Sequence, residues 1–78
     1  MASLSETDLR AIRVFITVVD SHGLAAAQSE LGMATSTISH HLSALEERLG
    51  TRLCQRGRGG FLLTPEGQKV YAAAQRLI

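Results

Sequence analysis

The sequence predicts a mainly α fold in which three helices are followed by a two-stranded β-hairpin and a fourth helix. Three observations carry this. Apolar residues recur at helical spacing in three stretches that Gly23, Gly32 and Gly50 divide. After Gly50 the spacing gives way to two short strand-like runs around a loop with three glycines in four positions. Thr64 and Pro65 then mark a fresh helix start. Seventy-eight residues hold one small domain, and 45% hydrophobic content with a formal net charge of +1 is not the balance of a disordered tail. No apolar run approaches the roughly 20 residues of a bilayer span, and Met1 to Glu6 lacks the pattern of a secretory signal, so a cytoplasmic protein is expected.

The first helix is predicted over about Ser5 to His22. Ser5 and Asp8 make a start resembling a capping box, and Leu9, Ile12, Ile16 and Val19 form a stripe with Phe15 beside it. Val14, Ile16, Thr17, Val18 and Val19 are β-branched and would also suit a strand. The length, the acidic start and the spacing favour a helix, which Gly23 is placed to end as a left-handed residue. The second helix spans about Leu24 to Leu31, where Ala25, Ala26 and Ala27 permit close approach of a neighbour. The third begins at Thr35 or Ser36 and runs to Leu49, with Ile38, Leu42, Leu45 and Leu49 as its apolar stripe. A short helix, a tight turn with Gly32 and a longer helix form a helix-turn-helix pattern.

The exposed face of the third helix carries Thr35, Ser36, Thr37, Ser39, His40 and Ser43. These are mediocre helix formers, where a helix built for stability alone would carry Glu, Lys or Ala. Acids wait until Glu46 and Glu47, so the first half can approach a polyanion and its hydroxyls can donate to phosphates or base edges. An N-terminus over-supplied with capping residues is the plainer alternative.

Leu53 to Arg56 and Phe61 to Thr64 are the strand-like runs, and Gly57, Arg58, Gly59 and Gly60 form the loop of a hairpin that presents Arg56 and Arg58. Residues 48–64 hold Arg48, Arg52, Arg56 and Arg58 with no acid, whereas residues 1–47 carry a net charge of −4. Arginine's planar fork suits phosphate, although four arginines alone would also suit a solvated loop. In the last helix Thr64 is the N-cap, Pro65 the first residue, and Val70, Tyr71, Ala74, Leu77 and Ile78 the apolar face. It reaches Ile78 without a stop signal, so the natural chain is expected to continue.

Together these elements describe a winged helix-turn-helix with a three-helix core, a two-stranded β-wing and a C-terminal linker helix. The sequence resembles the N-terminal DNA-binding domain of LysR-type transcriptional regulators from about Asp8 to Ile78. The resemblance is carried by Asp8-Leu9-Arg10 with Phe15, Ala26-Ala27 with Leu31, Ile38-Ser39, Leu45-Glu46 and Leu49-Gly50, and most strongly by Leu53 to Gly67. It implies a bacterial, cytoplasmic regulator acting as a dimer or tetramer, nucleoid-associated when bound, with its helix-turn-helix in the major groove of a partly palindromic double-stranded DNA operator. It implies residues 1–64 as the DNA-binding domain and residues 65–78 as the start of a linker helix that pairs with its counterpart. A C-terminal domain absent from this chain would bind a small-molecule co-inducer; no cofactor is expected in the chain itself.

Expected groove-facing residues are Thr35, Ser36, Thr37 and His40, with Ser43 also expected to bind DNA. Ser39 is expected on phosphate through the matching family position, and Arg52, Arg56 and Arg58 on the DNA backbone. Val70, Tyr71, Ala74, Leu77 and Ile78 are expected at the dimer contact, which would set two recognition helices about 34 Å or a multiple apart. The family often has Ser-Gln-Pro or Ser-Gln-Ser where this chain has Ala34, Thr35 and Ser36, so Thr35 is expected to take over as cap. His40 replaces a common arginine, and Gln28 stands where many members have a further alanine, which is expected to alter helix packing. The adjacent His40 and His41 point about 100° apart and make a poor chelate, so no metal is expected. Cys54 reads as a small packed hydrophobe. Three scattered histidines, one cysteine and no clustered carboxylates supply no nucleophile–base set, so no enzyme is expected. The alternative function is a winged helix used for protein–protein assembly, with the arginine tip on acidic partners.

Overall fold

The computed structural model describes residues 5–57 and 60–77, with the backbone alone for Arg56 and Leu77. Its elements follow the predicted order: α1 (Glu6–Ser21), α2 (Leu24–Leu31), α3 (Thr35–Leu49), β1 (Cys54–Gly57), β2 (Gly60–Leu63) and α4 (Pro65–Leu77). At the start of α1, Ser5 Oγ accepts from the Asp8 N–H and the Asp8 carboxylate accepts from the Ser5 N–H, each at 3.1 Å, completing the capping box. The β-branched residues stay helical because packing outweighs propensity. Thr17 donates its hydroxyl to the Arg13 carbonyl at 2.9 Å, and Val14 and Val18 are fully buried.

The buried face of α1 is broader than the predicted stripe. Ala11, Ile12, Val14, Phe15 and Val18 are buried, while Leu9, Ile16 and Val19 are only half-buried. The cause is position, since α1 packs against α2, α3 and α4. Phe15, Ile38, Leu42, Leu53, Val14, Val18 and Cys54 form the fully enclosed core, each large side chain contributing about 1.5–3 kcal/mol of apolar burial. Cys54 packs as the expected small apolar group.

The end of α1 corrects the expectation for Gly23. The left-handed residue is His22, at φ 62°, whose N–H donates to the Val19 carbonyl while the Gly23 N–H donates to that of Val18. Gly23, at φ 150°, is instead the N-cap of α2, a conformation that requires its missing Cβ. The turn between α2 and α3 passes through Gly32, and α3 ends at Gly50.

β1 and β2 pair antiparallel from Cys54 with Leu63 to Gly57 with Gly60, leaving residues 58 and 59 between them. The strands thus sit one residue beyond and one before the predicted runs. Thr64 then ties three segments together. Its N–H donates to the Leu53 carbonyl at 3.0 Å, its hydroxyl donates to the Arg52 carbonyl at 2.7 Å, and the same oxygen accepts from the Gly67 N–H at 2.9 Å. The last bond is the predicted cap. It draws the first turn of α4 so close to Leu53 that a Cβ on Gly67 would collide with the Leu53 carbonyl group, 2.8 Å from its carbon. Asp8 also pairs with Arg48 at 3.3 Å, linking the start of α1 to the end of α3.

Two expectations follow for stability. Gly67→Ala forces backbone apart and should cost about 1–3 kcal/mol, lowering Tm by at least about 4 °C; an unchanged thermal melt contradicts the close approach. The Ser5 backbone N–H, and then Arg48, hold the Asp8 carboxyl below its ordinary value of 3.8. A depressed folded pKa gives stability that is present above about pH 4 and lost as pH falls through the folded value. Asp8→Asn should therefore flatten the acid limb of a stability–pH curve, and parallel acid limbs in the two proteins contradict this.

Candidate nucleic-acid interface

The helix-turn-helix places the start of α3 at the surface. Ala34, Thr35, Ser36 and Thr37 are exposed, as are His40 and Ser43 further along, and Ser39 is half-buried at the edge of this face. These predicted residues therefore lie together on one element. The helix begins without the expected threonine cap, however. Ala34 is the N-cap, in extended backbone at φ −68° and ψ 153°, and no side chain caps the helix start. Thr35 is already the first helical residue, past the position from which a side chain caps. The N–H groups at the helix start and the partial positive charge of the dipole thus face outward with the Thr35–Thr37 hydroxyls, and no acidic residue lies in the first turn.

The wing is fixed beside this helix by Glu46, whose sequence position marks it as an acid at the far end of the helix and, with Leu45, as part of the family resemblance. It is buried, with 8% exposure, and Oε2 accepts from the Leu53 N–H at 2.8 Å and the Cys54 N–H at 3.3 Å. The Cys54 thiol lies 3.9 Å from the same oxygen. The signal was its position one turn after Leu42, on the flank of the apolar stripe rather than the outer face. Arg52 lies with its Nε 3.6 Å from that oxygen while 68% of its side chain remains exposed, so it is both steered by Glu46 and open to an anionic ligand. Arg56 lies on β1 opposite Phe61, and its side chain is outside the described residues, as is Arg58.

The His40 and His41 rings lie 6.3 Å apart at 63°, one exposed and the other half-buried. Among the described residues no group of three His, Cys, Asp or Glu is arranged to hold a metal. Gln28 is exposed, so the expected change in helix packing does not arise; buried Ala27 makes the close approach instead.

The expected dimer residues divide. Ala74 is 5% exposed, packed into the chain's own core. Tyr71 meets Phe15 edge-on at 6.5 Å, donates its hydroxyl to the Asp20 carboxylate and accepts from Gln75 Nε2. The Asp20 hydrogen bond raises the Tyr71 phenol above its ordinary 10.0. The chain's own domain therefore takes up these two residues, because α4 must cover the flank of α1. Val70 is half-buried and, with Ala73 and Ala74, walls one side of an apolar groove of about 490 Å³ whose other walls include Ile12, Leu45 and the 46%-exposed Leu49. The side chain of Leu77, and Ile78 altogether, lie outside the described residues. No helix among the described residues is long and apolar enough to cross a membrane.

Comparison with known proteins is consistent with this arrangement. The pattern of the bacterial regulatory helix-turn-helix proteins of the lysR family matches residues 9–68. The transcriptional activator BauR of Pseudomonas aeruginosa is 50% identical over 78 residues, covering all of this chain and 26% of BauR. The transcriptional regulator CrgA of Neisseria meningitidis is 36% identical over 73 residues, 94% of this chain and 24% of CrgA. The chain thus spans about a quarter of the length of these curated relatives. Among solved structures, the CbnR DBD–DNA complex superposes with a TM-score of 0.84 at 32% identity, covering 88% of this chain and 79% of that one. The complex of the BenM DBD with catB site 1 DNA superposes with a TM-score of 0.83 at 36% identity, covering 88% and 77%.

Glu46→Ala leaves the Leu53 and Cys54 N–H groups without their buried acceptor and should cost about 1–3 kcal/mol in denaturant unfolding. A midpoint equal to that of the wild type contradicts an anchoring role.

Proposed function

The chain belongs to the lysR family of bacterial regulatory helix-turn-helix proteins, and we propose that it is the DNA-reading part of a transcriptional regulator that binds double-stranded operator DNA through α3 and the wing. The observation that carries this reading is the exposed, acid-free start of α3, held beside an arginine-bearing hairpin by Glu46. In this reading α3 enters the major groove, with Thr35, Ser36, Thr37, His40 and Ser43 towards base edges and Ser39 towards phosphate. Arg52, Arg56 and Arg58 neutralise phosphates on either side and set the register of the domain without reading sequence. Residues 1–64 form the binding domain and residues 65–78 belong to a linker helix.

The same reading makes the regulator a dimer through α4, with tetramers open to the full-length protein. Val70 lines the α4 wall of the apolar groove, where a partner's helix would find cover. Tyr71 and Ala74 support the contact from behind, by fixing α4 on α1. A small-molecule co-inducer would bind in the further length that the longer relatives possess, and the chain itself would need no cofactor and catalyse no reaction. The site of action would be the bacterial cytoplasm, at the nucleoid.

Titration with duplex DNA at several salt concentrations tests the proposal, with affinity expected to fall steeply as salt rises. Arg56→Ala and Arg58→Ala should each weaken selected and random duplexes alike and reduce the magnitude of the log–log salt slope by about one unit. A loss confined to the selected duplex contradicts their placement on the backbone.

A further inference from the structure

The outward face of α3 has two unlike edges. Successive helical residues turn by about 100°. Ser36, Ser39 and Ser43 therefore fall along one edge, Thr37 and Ala44 along the other, and His40 between them. All except the half-buried Ser39 are exposed. The first edge presents hydroxyls as far as Ser43, with the Glu47 carboxylate one turn beyond. The second carries methyl groups, Cγ2 of Thr37 beside its hydroxyl and Cβ of Ala44, before it reaches Arg48, and Thr35 adds another methyl at the exposed helix start. Residues 33–47 include no Arg, Lys, Asn or Gln. Those are the side chains whose forks or amides pair with two atoms of a guanine or adenine edge. Arg48, the one such residue of α3, lies in its last turn and pairs with Asp8, so the outward first half of the helix cannot read purines in that way. It carries instead the complement of the one apolar feature in the major groove, the 5-methyl group of thymine.

We infer that α3 selects its site by apolar contact with thymine methyls along the Thr37–Ala44 edge, with Ser39 towards the phosphates. The contacted half-site is then built of A·T pairs whose thymine methyls face that edge, and His40 supplies a single hydrogen bond. This inference rests on the proposed DNA-binding function and narrows it to a class of base pair.

The test uses a duplex selected from a random library by the protein, then remade with deoxyuridine for thymidine in the half-site. Uracil pairs as thymine does and lacks only the methyl group. Wild type should bind the uracil duplex about fourfold more weakly for each contacted methyl, the worth of one buried carbon. Thr37→Ser, which keeps the hydroxyl and loses the methyl, should lose a similar factor on the thymine duplex and discriminate less between the two. Thr37→Val should retain the discrimination. Equal wild-type affinity for the two duplexes overturns methyl readout and leaves DNA binding standing. Failure to bind any duplex overturns the functional reading itself.

Discussion

The arrangement of this domain depends on one buried carboxylate. A two-stranded hairpin is at best marginally stable alone in water, so the wing needs support from outside itself. Glu46 supplies it by accepting from the two consecutive N–H groups at the entrance to β1. The bond is charge-assisted and buried, where partners matter most in both directions. Because Glu46 stands on α3, the strand entrance is referred directly to the helix that carries the exposed hydroxyls. Arg52 is steered by the same oxygen, so the first cation of the wing shares that reference.

The remaining contacts keep this pair of elements on a rigid base. Phe15 and Val18 of α1 are wholly enclosed together with Ile38 and Leu42 of α3, and the small residues Ala27 and Ala74 let α2 and α4 close in. Polar ties sit at the rim. Asp8 reaches Arg48 at one end of α1, and Asp20 accepts from Tyr71 at the other. The apolar interior sets the helix packing, and the rim contacts fix where the helix ends lie.

Much of this was legible because glycine, proline and capping residues punctuate the chain. Ser5 with Asp8, and Thr64 with Pro65, mark helix starts that the hydrogen bonds reproduce. Boundaries set by longer-range geometry were less visible. The left-handed position fell on His22 because Gly23 was needed for a backbone angle that no other residue adopts easily. Ala34 became the N-cap of α3 because backbone conformation, not side-chain chemistry, fixes where a helix begins. The stripe on α4 stated that something apolar covers Tyr71 and Ala74, but periodicity cannot say which molecule does so, and for these two it is their own α1. Of the candidate interface, the hydroxyl-rich face of α3 could be read directly from residue types. Glu46 could not, since its role exists only once the chain has turned back to bring Leu53 and Cys54 beneath it.

The close approach at Gly67 has a mechanical consequence. Thr64 and Gly67 lock the first turn of α4 to the Arg52–Leu53 segment, so helix and wing root move as one body. From that segment the 13 residues of α4 extend about 20 Å along α1. The wing root and the first turn of α4 thus form one joint, seated on α3 through Glu46 and on α1 through Tyr71 and Ala74.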